Sequence, residues 1–138
     1  MQEQIKFHIG LHVSDINHTV EFYKHLFNQE PIKQKSDYAK FELDEPGLVI
    51  SFIEAPDHVA KGFGHLGLRV STSAQLAARK QDVESHLEIA LEEKNTNCCY
   101  AQQDKFWVTD PDGYEWEVYH FKKDVEKSTE RVEASPCC

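Results

Sequence analysis

Three groups of residues in this chain could do chemistry. They are a pair of histidines related by an internal repeat, a glutamate late in the second copy, and two pairs of adjacent cysteines. The run His8-Ile9-Gly10-Leu11-His12-Val13-Ser14 recurs as His65-Leu66-Gly67-Leu68-Arg69-Val70-Ser71, with five of seven positions identical at an offset of 57 in 138 residues. A repeat of nearly half the chain length implies two copies of one module, and it puts a histidine at the same point of each. Aligning the turn glycines Gly47 and Gly113 extends the match, setting Phe41 opposite Trp107 and Ser51 opposite Glu117. His8, His65 and Glu117 would make a two-histidine, one-carboxylate set. That set suits non-haem Fe(II), with open positions for substrate and O2. Serine at position 51 supplies no fourth ligand. The same residues also fit an ordinary solvated strand face. His12, His18, His25, His58, His86 and His120 lack this support and read as surface or structural.

The four cysteines are Cys98-Cys99 and Cys137-Cys138. Neighbouring Cα atoms lie ~3.8 Å apart, too close for a relaxed disulfide. Adjacent thiols read better as a soft-ion site or a redox pair. Trivalent arsenic bearing one carbon substituent has two exchangeable positions, which two thiols would satisfy. A cysteine that is merely buried is the alternative. Cys137-Cys138 ends a charged stretch and is a candidate for accessory arsenic capture.

The elements that must hold these residues follow from periodicity. Residues 5–14 alternate as a strand, and Ile16, Val20, Tyr23 and Phe27 form a helical stripe over 15–28, capped by Ser14 or Asp15. Strands at 37–43 and 47–54 flank Asp44-Glu45-Pro46-Gly47, with a weaker strand near 30–35. The second half repeats the order. It has a strand at 63–71 and a helix at 73–85, capped by Thr72 or Ser73. Leu87, Ile89 and Leu91 alternate and suggest the next strand, with a helix continuing through them as the rival reading. A hairpin of 99–109 and 114–121 turns at Asp110-Pro111-Asp112-Gly113. The fold class is α+β, two βαβββ modules forming a curved sheet that encloses a cleft. Module one is 5–54, the linker 55–62 and module two 63–121, all within one domain, 1–121. Residues 122–138 are expected to be a flexible charged tail.

Hydrophobic residues at 40% and charged residues at 28% are ordinary for a globular domain. A net charge of −9 repels phosphate backbones and anionic membranes, which argues against nucleic-acid and membrane partners. With no signal-like N-terminus and no bilayer-length apolar run, the expected location is the cytoplasm.

On these residues the chain resembles the vicinal oxygen chelate superfamily, which includes glyoxalase I, bleomycin-resistance proteins and extradiol dioxygenases. The carrying motifs are His8-Ile-Gly-Leu, His65-Leu-Gly-Leu and Asp110-Pro-Asp-Gly-Tyr-Glu-Trp-Glu117-Val-Tyr119, and the resemblance spans residues 5–121. Asn97-Cys98-Cys99-Tyr100-Ala101-Gln102-Gln103-Asp104-Lys105-Phe106-Trp107-Val108-Thr109 narrows it to the ArsI/CadI group, together with Phe22-Tyr23, Leu26-Phe27 and Tyr38-Ala-Lys-Phe41. The group includes Fe(II)-dependent dioxygenases that cleave C–As bonds. The resemblance implies His8, His65 and Glu117 as metal ligands, Fe(II) as cofactor, and Cys98 and Cys99 as the substrate-binding pair. It further implies a trivalent organoarsenical such as methylarsenite, together with O2, as substrates, and inorganic arsenite as product. Some relatives carry Gln where His8 stands. Tyr38, Gln103 and Lys105 are candidates to line the cleft. Modules could pair within one chain or across a homodimer. Two other readings stay open: a non-catalytic protein that sequesters cadmium or arsenic, and another reaction of the superfamily such as glutathione-adduct isomerisation or catechol cleavage.

Overall fold

The computed structural model describes residues 3–98 and 100–126; of Cys98 only the backbone is described, and Cys99, Cys137 and Cys138 lie outside the described residues. The chain divides into two compact units, Met1–Phe63 and Gly64–Cys138. Each unit carries one copy of the repeat as a βαβββ module, and the class is α+β.

Unit one runs β1 (Phe7–Val13), α1 (Ile16–Leu26), β2 (Lys33–Lys35), β3 (Tyr38–Leu43) and β4 (Leu48–Glu54), closing with a short 3-10 turn at Pro56–His58. Its sheet has the order β1-β4-β3-β2. β1 is parallel to β4, which requires a crossover, and α1 is the first element of that connection. Asp15 caps α1, its carboxylate accepting the His18 N–H at 3.1 Å. The helix buries Ile16, Val20, Tyr23 and Leu26. Tyr23 packs on Phe52 with centroids 4.4 Å apart, and Phe27 meets Phe41 edge-on at 5.5 Å. These rings come from both the helix and the sheet, so they fix α1 on one sheet face and leave the other for polar side chains.

Unit two repeats the plan with β5 (His65–Val70), α2 (Ser73–Glu84), β6 (Leu91–Cys98), β7 (Ala101–Thr109) and β8 (Glu115–Asp124), in the order β5-β8-β7-β6. Thr72 caps α2 through the Gln75 N–H at 3.0 Å. The β7–β8 turn is locked by Asp110, whose Oδ1 accepts the N–H groups of Asp112 at 2.8 Å and Tyr114 at 2.9 Å. Gly113 sits there at φ +91°, a conformation that favours glycine.

Three sequence expectations are corrected. The alternation of Leu87, Ile89 and Leu91 does not make a strand. Leu87 instead donates its N–H to the Val83 carbonyl at 2.7 Å, finishing the helix end, and the strand starts at Leu91. β6 is a polar edge strand held by its ladder to β7, so its side chains carry little apolar signal. β8 runs to Asp124, three residues into the stretch read as tail, because Lys123 and Asp124 pair with Gln102 and Ala101. The repeat is also offset in one strand. Gly10 stands opposite Ser51 and Gly67 opposite Glu117, so Ser51 and Glu117 are equivalent, as expected. Ser51 then faces Lys40 while Glu117 faces Trp107, so Lys40, not Phe41, is the counterpart of Trp107. The cause is the hairpin loop, four residues (44–47) between Leu43 and Leu48 but five (110–114) between Thr109 and Glu115. The corrected register makes Tyr38 and Lys105 counterparts, a relation that bears on the site.

Candidate metal centre

In unit two the parallel pairing of β5 with β8 sets Gly67 opposite Glu117, and His65 lies two residues before Gly67 on the same face. The Glu117 side chain lies across Gly67. A Cβ there would stand 2.9 Å from Glu117 Cγ and 3.4 Å from Oε1. The missing side chain thus lets the carboxylate lean toward the histidine, bringing Glu117 Oε1 to 3.8 Å from His65 Nε2. We expect Gly67→Ala to displace Glu117 and weaken metal binding at least tenfold while the fold survives. Metal titration alongside circular dichroism checks this, and unchanged affinity would contradict it.

The other carboxylate oxygen is already taken. Lys105, 2% exposed, donates from Nζ to Glu117 Oε2 at 2.9 Å. Its ammonium also lies over the rings of Trp107 and Tyr119, at 5.6 and 5.5 Å from their centroids. The ion pair leaves Oε1 as the oxygen free to meet a cation beside His65, favouring one-oxygen over two-oxygen coordination. The donor set fits a divalent transition metal: an imidazole nitrogen and a carboxylate oxygen, each able to bind at about 2.1 Å.

His8 lies in unit one, and its surroundings there follow the same plan with different chemistry. Ser51 Oγ is 3.5 Å from His8 Nε2, and Tyr38 Oη and Ser51 Oγ share a hydrogen bond of 3.0 Å. Tyr38–Ser51–His8 is therefore the counterpart of Lys105–Glu117–His65, with two hydroxyls where unit two has an ion pair. The sequence offers Tyr38 and Lys105 only as candidates to line a cleft. The structure gives each a specific partner, and the partners are equivalent. Gln103 is buried on β7, two residues before Lys105 on the same strand face. Among the described residues, no three His, Cys, Asp or Glu side chains gather into a metal-binding group. Unit two unites His65 and Glu117, while unit one holds His8.

Cys98 is the last residue of β6, opposite Ala101. The strand reaches it through an irregularity between Glu93 and Thr96, where Asn95 adopts φ +51°. Asp104 holds that kink, accepting the Asn95 N–H at 2.7 Å and pairing with Lys122 at 3.1 Å. Burial pushes the Asp104 carboxyl up, but the Asn95 amide and the Lys122 ammonium together outweigh it and hold it below the usual carboxylate range. A depressed folded pKa contributes stability fully above the unfolded value of about 4 and loses it as pH falls through the folded value. Wild type should therefore exceed Asp104→Ala in denaturant midpoint at neutral pH, and the gap should close on acidification below about pH 4. A gap independent of pH would contradict this.

Sequence reasoning missed Glu93 and Trp107. Trp107 meets His65 edge-on, with centroids 5.2 Å apart and planes at 84°, and its indole N–H donates to Glu93 Oε1 at 2.9 Å. The available signal was the alternation of Gln103, Lys105 and Trp107, which puts all three on one face of β7.

Comparison with known proteins bears on the family and the fold. The Glyoxalase/Bleomycin resistance protein/Dioxygenase superfamily matches residues 7–118. The chain is similar to a trivalent organoarsenical cleaving enzyme of Bacillus sp. (strain MD1), with 39% identity covering 95% of this chain and 88% of the relative. It is also similar to the cadmium-induced protein CadI of Mycobacterium bovis, with 36% identity covering 94% and 90%. Among solved structures, a glyoxalase/bleomycin resistance protein from Catenulispora acidiphila superposes with a TM-score of 0.60 at 25% identity, covering 85% of this chain and 98% of that one.

Proposed function

The chain belongs to the glyoxalase/bleomycin resistance protein/dioxygenase superfamily, and from that premise we propose that it cleaves the C–As bond of trivalent organoarsenicals, using Fe(II) and O2; with methylarsenite, O2 oxidises the methyl carbon, which leaves as formaldehyde, while arsenic stays trivalent and is released as arsenite. The observation that carries the reading is that β6, ending at Cys98, belongs to the same four-stranded sheet as His65 and Glu117. In this reading one sheet would bear both the cysteine segment that takes the arsenical and two of the metal ligands. The relatives named trivalent organoarsenical cleaving enzyme, at 37–39% identity, support the substrate class.

In this reading Cys98 and Cys99 exchange with the two oxygen substituents of an arsenical such as methylarsenite. Two As–S bonds form, two As–O bonds break, and the thiol protons leave with the oxygens as water. The carbon substituent keeps its bond to arsenic and is presented for cleavage; the thiols hold and orient it. His65, Glu117 and His8 would hold the iron. When bound, Fe(II) supplies the activation of O2 that the side chains alone lack. Lys105 holds Glu117 Oε2 and so leaves Oε1 on the side of His65 for the ion. Among the described residues no helix is long and apolar enough to cross a membrane, and a cytoplasmic setting would keep the thiols reduced. Chelator-treated protein should regain methylarsenite consumption in air on addition of Fe(II). Equal turnover by metal-free protein would overturn the reading.

The cadmium-induced relative favours a second reading, sequestration of a thiophilic ion by the cysteine pairs. A sequestering protein protects stoichiometrically and makes no product.

A further inference from the structure

Resting on the reading of His65 as a metal ligand, we propose that Trp107 and Glu93 are positioning residues that set the orientation of the His65 imidazole before metal arrives. The Trp107 indole is 2% exposed and stands edge-on to His65 at 5.2 Å. A buried indole must place its N–H on an acceptor, and Glu93 Oε1 takes it at 2.9 Å. Glu93 reaches it from β6, where it stands directly opposite Lys105. The second Glu93 oxygen receives the Thr96 hydroxyl at 3.4 Å. The indole is thus fixed along its N–H axis by a charge-assisted bond, and its ring plane limits how far the imidazole can rotate.

The same ring also faces the other ligand. Lys105, whose ammonium lies over the indole, holds Glu117. One side chain therefore touches His65 directly and Glu117 through Lys105.

Unit one supplies an internal control. In the corrected register the counterparts of Trp107 and Glu93 are Lys40 and Lys35. Two lysines cannot form an indole–carboxylate bond or an edge-on ring contact, although the strands around them follow the same plan. The arrangement is thus a property of this site and not a requirement of the βαβββ module. Partners that fix a ligating imidazole commonly cost 10–100-fold in metal affinity when removed.

The test is titration of metal-depleted full-length protein with Fe(II) under argon, and with Co(II), whose visible absorption reports its coordination. His65→Ala, Glu93→Leu, Glu93→Gln and Trp107→Phe are compared with wild type. We expect Glu93→Leu to bind roughly 10–100-fold more weakly with an altered Co(II) spectrum. Glu93→Gln should recover most of the affinity, since its amide oxygen still accepts the indole N–H. A merely structural role would lower thermal stability without moving the Co(II) spectrum. If Glu93→Leu does not fold, Trp107→Phe decides, since it keeps a ring and loses the N–H; a loss of tenfold or more is expected. Wild-type affinity in the folded Glu93→Leu or Trp107→Phe variant, beside a lost affinity in His65→Ala, overturns the positioning role alone. Intact affinity in His65→Ala overturns the metal reading and this proposal with it.

Discussion

Glu117→Ala is expected to reduce bound Fe(II) to background and abolish turnover, while trivalent methylarsenite still binds. The carboxylate is the one anionic donor of the proposed set, and its loss leaves neutral imidazoles to hold a dication. A second consequence follows from burial. Lys105 is 2% exposed and would lose its carboxylate partner. Breaking a buried ion pair from one side costs roughly 3–5 kcal/mol, because the remaining charge stays desolvated. Glu117→Ala should therefore melt earlier as well as lose metal. The double variant Glu117→Ala/Lys105→Met separates the effects, recovering stability without metal. Metal analysis, thermal denaturation and arsenical binding on the three proteins check this. An iron-replete, active Glu117→Ala protein would remove Glu117 from the site.

Cys98→Ser and Cys99→Ser should each lower turnover at least a hundredfold and leave iron content unchanged. A hydroxyl is a hard, weakly acidic donor and a poor match for trivalent arsenic, whereas a thiolate is soft and polarisable. The loss is large because the second As–S bond forms within an already tethered complex, where linking two contacts strengthens binding on the order of 10²–10⁴-fold. Either substitution alone removes that gain. Arsenical binding by the metal-free variants isolates the capture step from catalysis. Loss of iron together with arsenical binding would mean that capture and metal are not separable. Full activity in either variant would mean that the pair does not hold the substrate.

The parts of this account that were legible in the sequence are those written in short periodic patterns. The repeat around His8 and His65 located both first strands. The turn residues Asp110 and Gly113 located the last hairpin, and Asp15 and Thr72 marked the helix starts. The equivalence of Ser51 and Glu117 survived because it depends on the β1–β4 and β5–β8 registers, which are the same in both units. What failed depended on backbone pairing. β6 is polar, so its ladder to β7 left no alternation to read, while Leu87 and Ile89 alternated outside any strand. The one-residue difference between hairpin loops shifted β7 against β3. That hid the relation of Tyr38 to Lys105 and made Trp107 look like the counterpart of an ordinary core phenylalanine. The Glu93–Trp107–His65 contacts join three strands, β6, β7 and β5. Spacing along one strand could bring none of them to notice except the shared face of Lys105 and Trp107. The role of Gly67 was half visible: its identity with Gly10 belonged to the repeat, but only Gly67 has a glutamate lying over it.

The central claim is that this chain breaks a C–As bond, and arsenic speciation across a single turnover tests it most directly. Protein loaded with Fe(II) under argon is mixed with trivalent methylarsenite, exposed to air, and its arsenic species are separated. The account predicts arsenite in at least the molar amount of protein, formed only when iron and O2 are both present. Methylarsenite recovered unchanged from the protein, with no arsenite, would contradict it and leave capture by the cysteine pairs as the activity.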